Sequence, residues 1–128
     1  MASRLSNAFK TDRRRAPRVD TNLPVTVTGQ GKPFLVQTKN LSATGAYCTF
    51  RQFVSPMTKL GVRLEIAGSA SPRAIRCDGI VVRVDPPKPS RTRHHYDVAI
   101  FFQGLEDDDR FALARYLQRH LRRTAASE

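Results

Sequence analysis

Several residue types are scarce in this chain of 128 residues. It has no tryptophan and only two cysteines, Cys48 and Cys77, which stand apart without a CxxC pair or a Cys/His cluster. Neither a zinc site nor a disulfide framework is therefore indicated. No run of apolar residues is long enough for a membrane-spanning helix, and the first ten residues contain no apolar signal segment. We expect a cytoplasmic protein that does not insert into membranes.

Groups that could perform catalysis are also few. The three histidines, His94, His95 and His120, have no metal-ligand spacing and stand beside no obvious nucleophile. Ser42 lacks the GxSxG surroundings of a hydrolase serine, and no GxxxxGK phosphate loop occurs. The sequence thus predicts no catalytic residue, no metal site and no cofactor, which argues against an enzyme.

Negative charge is in short supply, because 11 Asp and Glu face 22 Lys and Arg and leave a net charge of +11. Such an excess indicates an anionic partner, although part of it could simply form a solvated basic surface. Nucleic acid, a membrane surface and a phosphorylated small molecule all satisfy this requirement. Charge alone does not choose among them.

The chain divides into three parts. Residues 1–22 lack hydrophobic periodicity and carry six basic residues against two acids, Asp12 and Asp20, which predicts a flexible basic arm. Residues 23–122 form one domain, and residues 123–128 are a tail. Within the domain, six short runs of alternating polarity are separated by turn signals, as in a β-sandwich or barrel. The first of these runs has Leu23, Val25 and Val27 on one face.

The last segment of the domain changes to helical periodicity. Three acids, Asp107 to Asp109, precede a stripe of apolar residues, and arginines close the segment, so the charges complement a helix dipole. The predicted apolar face consists of Phe111, Ala114, Leu117 and Leu121. We therefore predict an all-β domain, a six-stranded antiparallel barrel, capped by a C-terminal α-helix.

Two short motifs occur in the order expected of a known family. The first is Arg14-Arg15-Ala16-Pro17-Arg18, an RxxxR pattern, and the second is Asn40-Leu41-Ser42-Ala43-Thr44-Gly45, an NxSxxG pattern. Each is weak evidence alone, since arginine is abundant and the second could be a polar turn that serves only the backbone. Together, on either side of a predicted strand hairpin, they resemble the double signature of PilZ domains, which are receptors for cyclic di-GMP.

Other positions agree with this resemblance, which covers roughly residues 12–121. Ala99 departs from it, since the family often has glycine there, and this bears on strand packing. The agreeing segments are Pro24-Val25-Thr26-Val27, Leu60-Gly61, Gly79-Ile80-Val81-Val82 and Val98-Ala99-Ile100-Phe101-Phe102.

The resemblance implies a PilZ-type β-barrel and a set of ligand-binding residues. Arg14 and Arg18 would contact the guanines of cyclic di-GMP, because an arginine fork matches O6 and N7 of guanine and its flat face stacks on the base. Asn40 would accept a hydrogen bond from guanine N1 or N2, and Ser42 would offer its hydroxyl to a base or phosphate. Gly45 would permit close approach of the backbone.

The resemblance also bears on stoichiometry and biological role. A long basic side chain immediately before the motif, here Arg13, accompanies a pair of intercalated ligand molecules in the family, so two cyclic di-GMP per chain are expected. The protein would then act as a receptor or adaptor switch for an unidentified downstream protein in motility, adhesion or exopolysaccharide production.

The alternative is a basic barrel that binds RNA or single-stranded nucleic acid. Such a barrel needs aromatic stacking platforms on an outward face. Most Phe and Tyr residues here fall in the inward phase of their strands, which disfavours nucleic acid as the partner.

Overall fold

The computed structural model of the chain describes residues 19–20, 23–29, 31–67 and 72–127, with the backbone alone described for residues 67 and 121–127. The predicted basic arm lies outside these ranges except for residues 19 and 20. The described ranges contain seven strands and one long helix. They are β1 (Val19–Asp20), β2 (Pro24–Thr28), β3 (Phe34–Leu41), β4 (Gly45–Phe50), β5 (Lys59–Ala67), β6 (Pro72–Asp85), β7 (Tyr96–Gln103) and α1 (Asp107–Ser127).

Six of the strands close into an antiparallel barrel. Their order is β3, β2, β5, β6, β7, β4, and β4 pairs back with β3. Closure satisfies the backbone groups that an open sheet would leave at its edges. The predicted six-stranded barrel is therefore confirmed. The additional strand β1 pairs with β3, in line with β2, and two residues are too few to show the alternation by which the other strands were predicted.

Alternation along the strands fills the barrel with aliphatic and aromatic side chains. In β7, every second residue from Tyr96 to Phe102 is buried, as the sequence pattern predicts. Gly79 marks a tight point, since a Cβ there would overlap the side chains of Ile100 and Val62. The fully buried members of the core include Val25, Val27, Leu41, Cys48, Phe50, Leu64, Ile75, Val81, Val98 and Leu113.

The two ends of the barrel carry different connections. At one, the helix end, β3 turns into β4, β5 into β6, and β7 leads into α1. At the other, the loop end, lie the connections 29–33, 51–58 and 86–95. Strand β1 lies towards the helix end, because Val19 pairs with Leu41, the last residue of β3.

Helix α1 packs against β1 and β5 at the helix end. The guanidinium of Arg73 donates two hydrogen bonds to Oδ1 of Asp109, at 3.2 and 3.0 Å, and so links the first turn of the helix to β6. The face that follows Asp109 at helical spacing is buried, through Leu113, Tyr116 and Leu117.

The predicted face of the helix was wrong in phase. Phe111 is 64% exposed, and of the predicted stripe Leu117 is buried and Ala114 is half-buried. Two overlapping apolar stripes run along this helix, and the one aligned with Asp109 is packed. The helix also continues to Ser127, beyond the predicted boundary at residue 122.

Burial of the Cys48 side chain makes a testable prediction about pH. Desolvation raises the pKa of its thiol from 9.0 to about 12. The native state then holds this proton more tightly than the unfolded state does, so the stabilisation is complete below pH 9 and is lost as the pH rises towards 12. The slope contributed by one such group reaches about 1.4 kcal/mol per pH unit.

Urea unfolding at pH 7 and pH 10.5 measures this effect against a Cys48→Ala variant. The variant is less stable at pH 7 because packing is lost, yet its free energy of unfolding should fall less on going to pH 10.5. The Cys77 thiol, whose pKa burial also raises, is present in both proteins and cancels. If the free energies of unfolding of the two proteins changed equally between pH 7 and pH 10.5, the raised pKa of the Cys48 thiol would be contradicted.

Candidate functional site

The predicted NxSxxG motif forms the turn between β3 and β4. The amide of Ser42 donates to the carbonyl of Gly45 at 2.9 Å, and the hydroxyl of Ser42 accepts from the amides of Thr44 and Gly45, each at 3.2 Å. The same hydroxyl lies 3.1 Å from Oγ1 of Thr44. Ser42 is 2% exposed. Its hydroxyl therefore holds the turn together, and direct contact with a ligand stays a prediction.

Gly45 occupies a place where no side chain fits. A Cβ built on it would overlap the carbonyl oxygen of Ile100 in β7, which pairs with β4. The glycine is therefore required by the close approach of β4 to β7 within the barrel itself. Whether the ligand also approaches Gly45 stays a prediction.

A β-bulge near the end of β3 determines where Asn40 lies. Thr38 is opposite Cys48 and Asn40 is opposite Tyr47, so Lys39 is the extra residue. Thr38 and Leu41 are buried while Lys39 and Asn40 between them are not. The bulge therefore places two consecutive polar side chains on the outer wall, next to the turn.

Two residues that the sequence interpretation did not select surround Asn40. The ring of Tyr47 is half-buried on the outer wall, and Nζ of Lys39 lies 5.7 Å from its centroid. Lys39 also forms an ion pair with Asp97 at 2.8 Å, and this hydrogen bond raises the pKa of the lysine ammonium. Tyr47 was identifiable, because Ala46 and Cys48 point inwards and Tyr47 between them must point out.

Strand β1 brings the residue that follows the arginine motif to the same place. Asp20 pairs with Asn40 and Val19 with Leu41, so the chain reaches the barrel beside the turn. Arg18 is covalently joined to Val19, and a trans peptide places consecutive Cα atoms about 3.8 Å apart. The side chains of the predicted ligand-binding residues Arg13, Arg14 and Arg18 lie outside the described residues.

The arrangement offers binding groups of several kinds. An amide, a phenol ring and an ammonium group lie on the outer wall, and β1, which begins one residue after the arginine motif, pairs with β3 next to them. This set suits a planar, polar, anionic ligand. Among the described residues, no group of three or more His, Cys, Asp or Glu side chains could hold a metal ion.

The barrel and the two motifs define a domain of the PilZ type. The model of the PilZ domain family matches residues 12–119, which include both motifs and most of α1. The chain therefore belongs to the PilZ domain family. No curated protein matches it at a significant level.

Solved structures share the fold at low sequence identity. The inhibitor of motility MotI/DgrA of Bacillus subtilis is 19% identical with a TM-score of 0.68, over 86% of this chain and 52% of that one. MrkH of K. pneumonia in complex with c-di-GMP is 17% identical with a TM-score of 0.65, over 91% and 56%. This chain therefore spans about half the length of these two proteins.

A third structure is matched over nearly its whole length. The PilZ domain with c-di-GMP of YcgR from Escherichia coli is 11% identical with a TM-score of 0.60, and the match covers 91% of this chain and 99% of that one. The barrel with its C-terminal helix is thus the fold of an isolated PilZ domain.

The geometry of the turn predicts what Ser42→Ala does. The substitution leaves the amides of Thr44 and Gly45 without their acceptor, and a buried donor left unsatisfied costs about 1–3 kcal/mol. The free energy of unfolding, measured with urea in the absence of any ligand, should fall by that order. An unchanged stability would show that the hydroxyl is dispensable to the turn.

Proposed function

We propose that this protein binds cyclic di-GMP at the helix end of the barrel, between the arginine motif and the NxSxxG turn. The observation that carries the proposal is the pairing of β1 with β3. It sets the residue that follows Arg18 opposite Leu41 and thereby joins two motifs that are distant in sequence. The c-di-GMP complexes of MrkH and of the YcgR PilZ domain, which share this fold, support the choice of ligand.

Each residue of the site has a defined task in this proposal. The guanidinium groups of Arg14 and Arg18 pair with guanine edges and stack on the bases. The amide of Asn40 hydrogen-bonds a second base edge from the outer wall. Ser42 and Gly45 shape the turn, and the hydroxyl of Ser42 turns to the ligand only if it gives up a bond within the turn.

Tyr47 adds a stacking surface next to Asn40. Stacking of a base on an aromatic ring contributes about 1–3 kcal/mol. Lys39 lies over the same ring and brings positive charge close to where a phosphate of the ligand would sit. These two outer-wall residues complement the arginines, which approach from the segment 1–22.

The protein would act as a receptor or adaptor rather than as a catalyst. Occupation of the site would hold the arginine motif against the barrel and so change the surface offered to a downstream protein. Motility, adhesion and exopolysaccharide production are the processes proposed for control, in the cytoplasm. Among the described residues, no helix has both the length and the apolar character to cross a membrane.

Calorimetric titration of the purified chain tests the ligand and the arginines together. Cyclic di-GMP should bind, whereas GMP and GTP should compete poorly. Arg14→Ala and Arg18→Ala should each weaken binding roughly 5- to 150-fold, since a bidentate contact to a base is worth about 1–3 kcal/mol.

The matched control is Arg91→Ala, which removes an exposed arginine at the loop end and should leave the affinity unchanged. It is cleaner than Arg119→Ala, because Arg119 is half-buried on α1 and makes contacts of its own. Equal losses of affinity in Arg14→Ala, Arg18→Ala and Arg91→Ala would show that binding depends only on net charge. Heat with an RNA oligonucleotide but none with cyclic di-GMP would refute the proposal.

Stoichiometry is a separate prediction. A second cyclic di-GMP brings two further phosphates into the site, and their repulsion requires another cation, which Arg13 supplies. Native mass spectrometry at saturation should show two ligands per chain, and Arg13→Leu should shift the ratio towards one with a loss of affinity. A one-to-one complex of the unmodified protein would contradict this assignment without affecting the site itself.

A further inference from the structure

The loop end of the barrel carries a concentration of unpaired positive charge. The connections 29–33, 51–58 and 86–95 contain five Lys and Arg residues and no Asp or Glu. All five are exposed, and none forms an ion pair within the described part of the chain. The lysines and arginines that do form ion pairs there lie on strands. These residues are Lys32, Arg51, Lys88, Arg91 and Arg93.

The connection 86–95 is held in a defined shape. The hydroxyl of Ser90 accepts from the amides of Thr92 and Arg93, at 3.3 and 3.1 Å. The hydroxyl of Tyr96 accepts from the amide of Ser90 at 2.8 Å. Prolines 86, 87 and 89 further restrict the backbone. The charges of Arg91 and Arg93 are therefore presented on an ordered platform, which lowers the entropic cost of binding.

The neighbouring connection packs on this platform. The rings of Phe53 and Tyr96 meet edge to face with centroids 5.7 Å apart, and Arg51 follows Phe50, which pairs with Tyr96. Connections 51–58 and 86–95 thus form one continuous surface.

An exposed methionine lies on the same surface in a strained conformation. Met57 has a φ of 71°, which ordinary side chains avoid, and its side chain is 74% exposed. Its amide donates to the carbonyl of Val81, next to the bulge residue Val82, which is 42% exposed. Glycine would relieve the backbone strain at this turn position, so stability does not account for the methionine.

We infer that the loop end is a docking surface for an acidic segment of a partner protein that carries apolar side chains. The five cations steer and hold carboxylates, and Met57 with Val82 receives an apolar side chain, a role for which a flexible thioether is well suited. The inference is independent of the proposed ligand, because the NxSxxG turn lies at the opposite end of the barrel.

The aromatic residues at this end disfavour nucleic acid as the occupant. Phe34 and Phe50 meet edge to face at 5.6 Å, and Phe53 packs on the buried Tyr96, so these rings are engaged with one another. Single-stranded nucleic acid requires open aromatic faces for stacking. The exposed apolar side chains are aliphatic instead, which fits a peptide.

The test measures binding of the full chain to a labelled peptide of Glu-Glu-Leu repeats by fluorescence anisotropy, without cyclic di-GMP, at about 0.15 M salt. The double variant Arg91→Glu/Arg93→Glu should weaken binding at least about tenfold. The matched control Arg76→Glu/Arg115→Glu makes the same change of charge at exposed positions on the wall and the helix, and should weaken it less than about twofold. Met57→Gly should weaken it about fivefold without lowering stability.

Three results would overturn the inference. Equal losses in the two double variants would reduce the binding to net charge. An unchanged affinity of Met57→Gly would remove the apolar part of the site. Tighter binding of a single-stranded thymidine oligonucleotide, or of phosphatidylglycerol vesicles, with the same dependence on Arg91 and Arg93 would assign the surface to nucleic acid or membrane.

Discussion

Closure of the sheet requires β4 to pair with β7 along one edge and with β3 along the other, and the rest of the structure depends on this double pairing. The backbones of β4 and β7 come so close that only a glycine fits at position 45. The same pairing carries the chain back from β3 to β4 through the turn held by Ser42. The NxSxxG motif therefore lies at the seam of the barrel, the edge along which β4 closes it against β3 and β7. The motif is needed there whether or not it binds a ligand.

This double role connects stability with function at the seam. A motif that must close the barrel is rigid, and a rigid turn presents Asn40 and Tyr47 on the outer wall at a fixed spacing. The bulge at Lys39 completes the arrangement, because without the extra residue Asn40 would point in the direction of the core. Lys39, Asn40 and Tyr47 are thus preorganised on strands.

Much of the fold was predictable because strands and helices each bury residues at a characteristic spacing along the sequence. Alternation gave the inward residues of β7, and charge order gave the start of α1. The phase of the helix was not predictable, since Phe111 and Leu113 begin two stripes of similar quality and the choice depends on packing against β1 and β5, which are distant in sequence. β1 escaped prediction for a similar reason, since its two residues are strand only through their partners Leu41 and Asn40.

At the site, the motif pointed to residues that matter, but the local sequence did not show whether each one binds a ligand or stabilises the barrel. Ser42 and Gly45 were predicted to bind a ligand. The structure shows that Ser42 holds the turn between β3 and β4 and that Gly45 allows β4 to pair closely with β7. Whether the ligand takes them over cannot be read from residue type, because a serine hydroxyl bonds a backbone amide as readily as a phosphate. Tyr47 is an exception among aromatic residues that mostly fall in the inward phase, and strict alternation places it outside.

The two ends of the barrel impose a constraint on any switching mechanism. Strand β7 runs from one end to the other, and eight residues of strand span about 26 Å. A closed, fully paired barrel with a packed core transmits little displacement over that length. Under the proposed function, ligand binding at the helix end would therefore act on β1 and α1, which lie there, and would leave the loop end unaltered. A partner held constitutively at the loop end would then meet a second surface that changes with the ligand, so the same small domain could serve both as an anchor and as a switch.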